Sequence, residues 1–414
     1  MAEESFLGIS NSASGARWVN ALTNIPEQTR DRMAAALGQV VLDLPLPVAR
    51  IMADRGLTPE TLDSYLDPKL RDLLPNPSRF KDLDKAALRL ADAVEVGKPI
   101  GIFGDYDVDG AAAAALLVNV MRDLGVNCDV HIPDRFTEGY GPNISALTAL
   151  QKKGAGLLVT VDCGITAHAP LAAVADTGMD VIVIDHHIAG PELPRAHSVV
   201  NPNRLDEDGK YGNLCAAAVV FMVLVATIRT LREKGHFTVD KPAPNLIDQL
   251  DLVALATVCD VVPLTGLNRA FVLQGLKIMA LRGHPGLAKL ADVAGMSSKP
   301  NTHALGFLLG PRINAGGRIG ASGLGVRLLS SLSADEAVGL AVKLDELNRE
   351  RRQVEESIRQ VAIDRAQHSE DPVLILHDEN WHEGVIGIVA GRIRERFGKP
   401  AIVIAFGENG IGKG

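Results

Sequence analysis

The chain has 414 residues, 47% of them hydrophobic, 22% charged and 4% aromatic. That length exceeds one ordinary core and predicts two or three domains, and the composition excludes a disordered chain. With 42 Lys and Arg against 50 Asp and Glu the net charge is −8, so binding nucleic acid would need a local basic groove or bound cations.

Residues 1–77 read as a helical extension punctuated by Pro45, Pro47, Pro59, Pro68, Pro75 and Pro77. Within it, Thr58 is placed to cap a helix that opens on Pro59. From 78 the pattern changes to short apolar runs alternating with helical stretches. Strands are expected at 100–103, 128–132, 157–161 and 181–184, with helices at 111–124, 144–152 and 167–176. This order predicts βαβ units in a parallel sheet. The runs LLVTV and VIVI are continuous rather than alternating, as in strands covered on both faces.

From 214 to about 325 the pattern is mostly helical, and 78–330 reads as one domain. Ser333 and Glu336 then suggest a capping box. Leu340, Leu344, Leu347, Val354, Ile358 and Val361 step in threes and fours, with Arg351 interrupting them. One long helix is expected through His368, about 40–50 Å long at 1.5 Å per residue. It would serve as a connector over 331–370. A strand at 373–376, a helix at 385–397 and a strand at 401–405 then begin a second α/β domain, 371–414. Two strands bury too little sheet, so that domain is expected to be truncated. The fold class is therefore α/β, a parallel-sheet domain joined by a long helix to a second, shortened α/β domain.

Cys128, Cys163, Cys215 and Cys259 form no C-x-x-C pair, which argues against zinc fingers and a disulfide framework. The N-terminus lacks the basic and apolar regions of a signal peptide. The longest uncharged stretch, 212–228, falls short of the roughly 20 residues that span a bilayer. A cytoplasmic protein with reduced thiols and no membrane segment is expected.

The chemistry concentrates at strand ends. Asp105, Asp107 and Asp109 fall within GDYDVDG, directly after the strand IGIF. Three carboxylates in five residues repel one another, and oxygen ligation of a divalent cation is their obvious use. A solvated acidic turn is the alternative. Gly110 would let the chain enter the next helix close to the ligands. Asp162 ends LLVTV, where it could instead cap a helix. VIVI ends in Asp185, His186 and His187. Parallel strands open onto one crevice, which is where α/β sheets bind ligands. Asp260 sits among Val258, Val261 and Val262, where a carboxylate is costly unless it is paired or ligating. Capping the turn before Pro263 is the alternative. Mixed Asp and His donors suit Mn²⁺ or Mg²⁺ better than structural zinc. They suffice for two cations, which in phosphoryl displacement sit roughly 3.5–4 Å apart around the attacking and leaving oxygens.

GDYDVDG, VTVDCGIT, VIDHH and VCDVVP, in this order, resemble the four signature motifs of the DHH phosphoesterases. PDRFTEGYG (133–141), VNPN (200–203), GPRINAGGRIG (310–320) and WHEGVIGIVAGR (381–392) look like its branch of single-stranded-DNA-specific 5′→3′ exonucleases. The resemblance implies a metal-dependent phosphodiesterase of DNA repair and recombination that releases 5′-mononucleotides. It implies Asp107, Asp109, Asp162, His186 and Asp260 as metal ligands, supported by Asp105, Asp185 and His187. Many relatives carry His where this chain has Phe103, so one ligand of a second metal is expected to be absent. Arg135, Arg312 and Arg318 are candidates for contacts to DNA phosphates through guanidinium forks, although for Arg312 a surface salt bridge is an equal reading. Single-stranded DNA is the expected partner, with single-strand-binding protein or a helicase as further ones. Two other readings stay open. One is a DHH hydrolase of small phosphoesters such as cyclic dinucleotides, short oligonucleotides or pyrophosphate. The other is a non-catalytic DNA-binding scaffold.

Overall fold

The structure is a computed structural model that describes residues 5–41, 43–407 and 410–414. The chain divides into two compact units, Met1–Leu74 with Thr265–Ala270, and Pro75–Leu264 with Phe271–Gly414.

The first unit contains α1 (Glu27–Val40), α2 (Leu46–Asp54), α3 (Pro59–Leu66) and α4 (Leu70–Leu73). Its small core joins Ala34 and Leu37 to Ala49, Ala53 and Leu62. Thr58 precedes α3 as expected, and Thr61 Oγ1 accepts the Thr58 amide at 2.9 Å.

The second unit begins with α5 (Leu83–Glu95), β1 (Ile100–Gly104), α6 (Val108–Asp123), β2 (Cys128–His131) and α7 (Ile144–Lys152). It continues through β3 (Leu157–Val161), α8 (His168–Ala175), β4 (Val181–Ile184), β5 (Ser198–Val200), α9 (Ala216–Glu233) and α10 (Leu250–Cys259). The five strands form a parallel sheet in the order β2-β1-β3-β4-β5. In this order the chain reverses direction across the sheet between β1 and β3, and a crevice opens beyond their carboxyl ends. β1, β3 and β4 are buried at every residue, which explains their unbroken apolar runs. β5 was not among the expected strands, because its three residues are too few to show a period.

α6 starts at Val108 rather than 111, because Asp107 caps it: its Oδ1 accepts the Gly110 amide at 3.0 Å. Gly110 must be glycine at this approach. A Cβ there would lie 2.5 Å from the Asp105 carbonyl oxygen.

Further on come α11 (Gly266–Ala280), α12 (Pro285–Val293), α13 (Gly310–Ile319), α14 (Leu324–Leu329) and α15 (Ala334–Ala366). At 33 residues, α15 is about 50 Å long. Only half of its expected capping box forms. Ser333 accepts the Glu336 amide at 3.3 Å, while the Glu336 carboxylate turns to Arg327 at 3.1 Å. Leu340, Leu344 and Leu347 are buried in the first half of α15, whereas Ile358, Ala362 and Ala366 join a separate core. Val361, expected on the same stripe, is exposed.

That separate core belongs to a second sheet of β6 (Leu374–Asp378), β7 (Ala401–Phe406) and β8 (Gly412–Lys413), with α16 (Ile386–Phe397). β6 and β7 are parallel, but β8 runs antiparallel to β7. Two strands were expected here, and β8 is a third. No described helix is long and apolar enough to cross a membrane.

Candidate metal centre

Asp105 and Asp107 follow β1, Asp109 lies in the first turn of α6, Asp162 directly follows β3, and Asp185, His186 and His187 follow β4. Asp260 is the C-cap of α10. Ligand atoms of Asp105, Asp107 and Asp162 lie within 4.8 Å of one another, as do those of Asp109, His186 and Asp260, and those of Asp162, His186 and His187. The fold thus brings all the strand-end acids except Asp185 into groups that could hold a cation, and Asp185 directs one of their histidines.

Asp109 is buried, and its two oxygens accept the Ala216 and Ala217 amides at 2.6 and 2.8 Å. These amides open α9, so the positive end of that helix faces the carboxylate. Asp162 is buried in the left-handed region, at φ +60°, a conformation that Asp tolerates better than most residues. It caps no helix, since α8 begins six residues later. Its Oδ1 is buried without a hydrogen-bond partner among the described residues. His186 Nδ1 donates to the Leu214 carbonyl at 3.1 Å, which leaves Nε2 as the acceptor nitrogen. That nitrogen lies 3.2 Å from Asp162 Oδ1 and 3.7 Å from Asp109 Oδ2.

Asp185 works through its neighbours. One oxygen accepts the His186 and His187 amides at 2.7 and 3.1 Å and His187 Nδ1 at 2.8 Å. The other accepts the Ile165 amide at 2.9 Å. Burial opposes its charge, but these bonds and the His187 ring hold its carboxyl below the ordinary value. The same hydrogen bond raises His187. Burial and the facing Asp107 push Asp105 up to about 7, and burial with neighbouring carboxylates pushes Asp109 and Asp162 well up. Buried like charges that repel this strongly are stabilised by a bound cation. The donor set of carboxylates and imidazole, with an orphaned oxygen aimed at a free ring nitrogen, fits Mn²⁺ or Mg²⁺.

Phe103 offers no ligand atom. It is fully buried, stacked on His131 with ring centroids 5.4 Å apart.

Two residues beyond the expected site hold the histidines in place. Asn201 Nδ2 donates to the His187 carbonyl at 2.9 Å, and Asn203 Nδ2 donates to the carbonyls of His186 and Gly212. VNPN had marked a family branch without giving them a role. Two buried or half-buried amides flanking a Pro directly after a strand were the signal. Tyr140 was also missed, and its Oη lies 3.4 Å from His187 Nε2.

The arginines separate. Arg135 stacks over the Tyr106 ring at 5.1 Å. Arg318 is half-buried, and burial together with the Arg135 and Arg351 guanidiniums pulls it below its ordinary value. Its Nη1 donates to the Gly384 carbonyl at 3.2 Å. Gly384 approaches so closely that a Cβ there would collide with the Arg318 carbonyl oxygen. The segments 310–320 and 381–392 therefore meet at this point. Arg312 does not join that group. It is buried, with Nε 2.9 Å from Asp345 of α15 and Nη1 donating to the Leu308 carbonyl at 2.7 Å. Arg312 therefore lies in a buried ion pair, not at the surface where either a salt bridge or a phosphate contact was expected.

The crevice, with its acid- and imidazole-bearing strand ends, defines the DHH class, and residues 99–257 match the model of the DHH family, N-terminal domain. The chain is similar to the single-stranded-DNA-specific exonuclease RecJ of Salmonella typhimurium, with 38% identity over 94% of this chain and 68% of that protein. It is also similar to the solved structure of RecJ from Thermus thermophilus in complex with Mn²⁺, at 33% identity and a TM-score of 0.76, covering 92% of this chain and 53% of that one. The Mg²⁺ complex from the same organism matches at 29% identity and a TM-score of 0.67, covering 92% of this chain and 50% of that one. This chain belongs to the RecJ family of DHH proteins.

Proposed function

We propose that this protein is a divalent-cation-dependent exonuclease that degrades single-stranded DNA from the 5′ end and releases 5′-mononucleotides. The observation that carries the reading is the orphaned Asp162 oxygen facing His186 Nε2 inside a ring of carboxylates, in a member of a family whose curated relatives are named single-stranded-DNA-specific exonucleases. In this reading Asp107, Asp109, Asp162, His186 and Asp260 hold Mn²⁺ or Mg²⁺, and Asp105, Asp185 and His187 support them. Bound divalent cations acidify water and neutralise charge on the attacking and leaving oxygens of a phosphoryl displacement. Asp185 fixes the His187 ring, while Leu214 fixes the tautomer of His186. Arg318 and Arg135 offer positive charge to a DNA phosphate, and the face of Tyr106 orients Arg135.

The proposed organisation is an extension over 1–77, a metal-binding domain over 78–330, a connector over 331–370 and an associated α/β domain from 371. A cytoplasmic setting fits the four free thiols. The net charge of −8 weakens long-range attraction to DNA, which favours delivery of the strand by single-strand-binding protein or a helicase. The test is cleavage of 5′- and 3′-labelled single strands and of duplex with Mn²⁺, Mg²⁺ or a chelator. Mononucleotides should appear from the 5′ end of single strands alone, and only with metal. Faster hydrolysis of a cyclic dinucleotide than of a long strand would favour the small-phosphoester reading instead.

A further inference from the structure

A second cavity lies in the same unit, at the opposite end of α10 from Asp260. It encloses about 300 Å³ between Asp251, the end of α11, the first turn of α12 and the segment 296–300. Nine residues separate Asp251 from Asp260, about 14 Å along a helix, so the cavity is not part of the metal centre. Its volume falls at the lower end of the range for small-molecule sites, about 300–1,000 Å³.

Its wall has two characters. Met279, Leu287, Ala291 and Met296 give an apolar floor, and methionine sulfur packs well against aromatic rings. Arg282, Lys299 and Ser298 give a polar rim. Lys299 is exposed and has no ion pair among the described residues. Arg282 reaches Asp292 at 2.7 Å and the Ala288 carbonyl at 3.0 Å, which fixes its guanidinium at the rim. The first turn of α12 adds the positive end of a helix dipole. The one carboxylate in the wall, Asp251, is already engaged. Its Oδ2 lies 2.7 Å from His284 Nδ1, and its Oδ1 accepts the Leu252 amide at 2.8 Å. A cation would find one spoken-for carboxylate here, whereas an anion with an apolar ring would find the methionine floor, Lys299, and Arg282 shared with Asp292.

We propose that this cavity binds a nucleoside 5′-monophosphate, with the base on the methionine floor and the phosphate between Arg282 and Lys299. The choice of a mononucleotide rests on the proposed nuclease reading, whose product it would be. The metal-free full chain in chelator is titrated calorimetrically with dAMP, deoxyadenosine and inorganic phosphate, which keeps binding separate from cleavage. Saturable dAMP binding is expected, at least about tenfold tighter than deoxyadenosine or phosphate. Lys299→Glu and the cavity-filling Ala288→Trp should each weaken it by about tenfold or more, while Lys299→Glu keeps the thermal midpoint and the nuclease rate of the parent. No saturable dAMP binding up to about 10 mM, or binding untouched by both substitutions, would overturn the proposal. Failure of the nuclease reading would show separately, in the cleavage assay.

Discussion

His186 Nε2 and Asp162 Oδ1 face each other at 3.2 Å, and that oxygen has no hydrogen-bond partner among the described residues. His186 Nδ1 is committed to the Leu214 carbonyl, so Nε2 and the Asp162 oxygen are left as two donor atoms that one cation could engage. Bound there, a cation would favour the ionised carboxylate that burial and Asp109 otherwise oppose.

Replacing Asp162 with Asn separates this from a purely structural role. Asn tolerates the left-handed backbone that Asp162 adopts and keeps nearly the same volume. Outer partners of metal ligands are worth about 10–100-fold, so loss of an inner donor should lower the cleavage rate by at least about a hundredfold. In chelator, Asp162→Asn should unfold at the same temperature as the parent or a higher one, because burial and Asp109 already disfavour the Asp162 charge. Mn²⁺ should raise the thermal midpoint of the parent and have little effect on the variant. Near-parental turnover in the folded variant would sink the mechanism.

Asn203 gives a milder and more diagnostic change. It touches the carbonyl of His186 rather than its ring, so Asn203→Ala acts through position alone. The Mn²⁺ concentration for half-maximal rate should rise about 10–100-fold, with the rate at saturating Mn²⁺ largely recovered. A fall in rate that saturating metal cannot restore would show that Asn203 has a different task.

The arginines divide by readout. Arg312→Ala leaves the buried Asp345 carboxylate to Arg349 alone, and losing a hydrogen bond to a charged group costs about 1.5–3 kcal/mol. Its effect should appear as a lower denaturant midpoint, with KM for DNA little changed. Arg318→Ala removes a cation crowded by Arg135 and Arg351. The variant should unfold much like the parent but bind single strands more weakly, with a shallower salt dependence. Swapped behaviour of the two variants would reverse this assignment.

Most acids of the centre were legible because they sit in short contiguous runs just after a buried strand, whereas Asp260 ends the apolar helix α10. A period-free apolar run followed by Asp is visible in sequence. What stayed hidden depends on distance. Arg312 meets Asp345 thirty-three residues away, so nothing local tells a phosphate contact from a salt bridge. Asn201 and Asn203 act on backbone carbonyls of His187 and His186, and a carbonyl acceptor leaves no residue-type signature. β5 and β8 have three and two residues, too short for any periodicity. The half-formed capping box failed for a similar reason, since Arg327 and Ser331 compete for Glu336.

Glu138 links the loop of Arg135 to the sheet and carries a pH signature away from the metal. Its carboxylate accepts the Asp134 amide at 3.0 Å and Asn143 Nδ2 at 3.1 Å, and it pairs with His131 Nε2 at 2.8 Å. Partial burial raises its pKa, but these bonds outweigh that and hold it below its ordinary value of 4.5. A group depressed on folding contributes stability above its unfolded pKa and loses it as pH falls through the folded one. Glu138→Gln should therefore destabilise the protein at pH 7, by about 1 kcal/mol given the exposure of the site. The gap in thermal midpoint between parent and variant should narrow as pH falls below 4.5 and through the lowered folded value, where the parent carboxylate takes up its proton. At pH 7 the variant should also show a raised KM for single strands with kcat changed less, because the loop that aims Arg135 is loosened. If the gap showed no narrowing as pH fell from 7 through the acid range, the ionised carboxylate could not be what holds the loop.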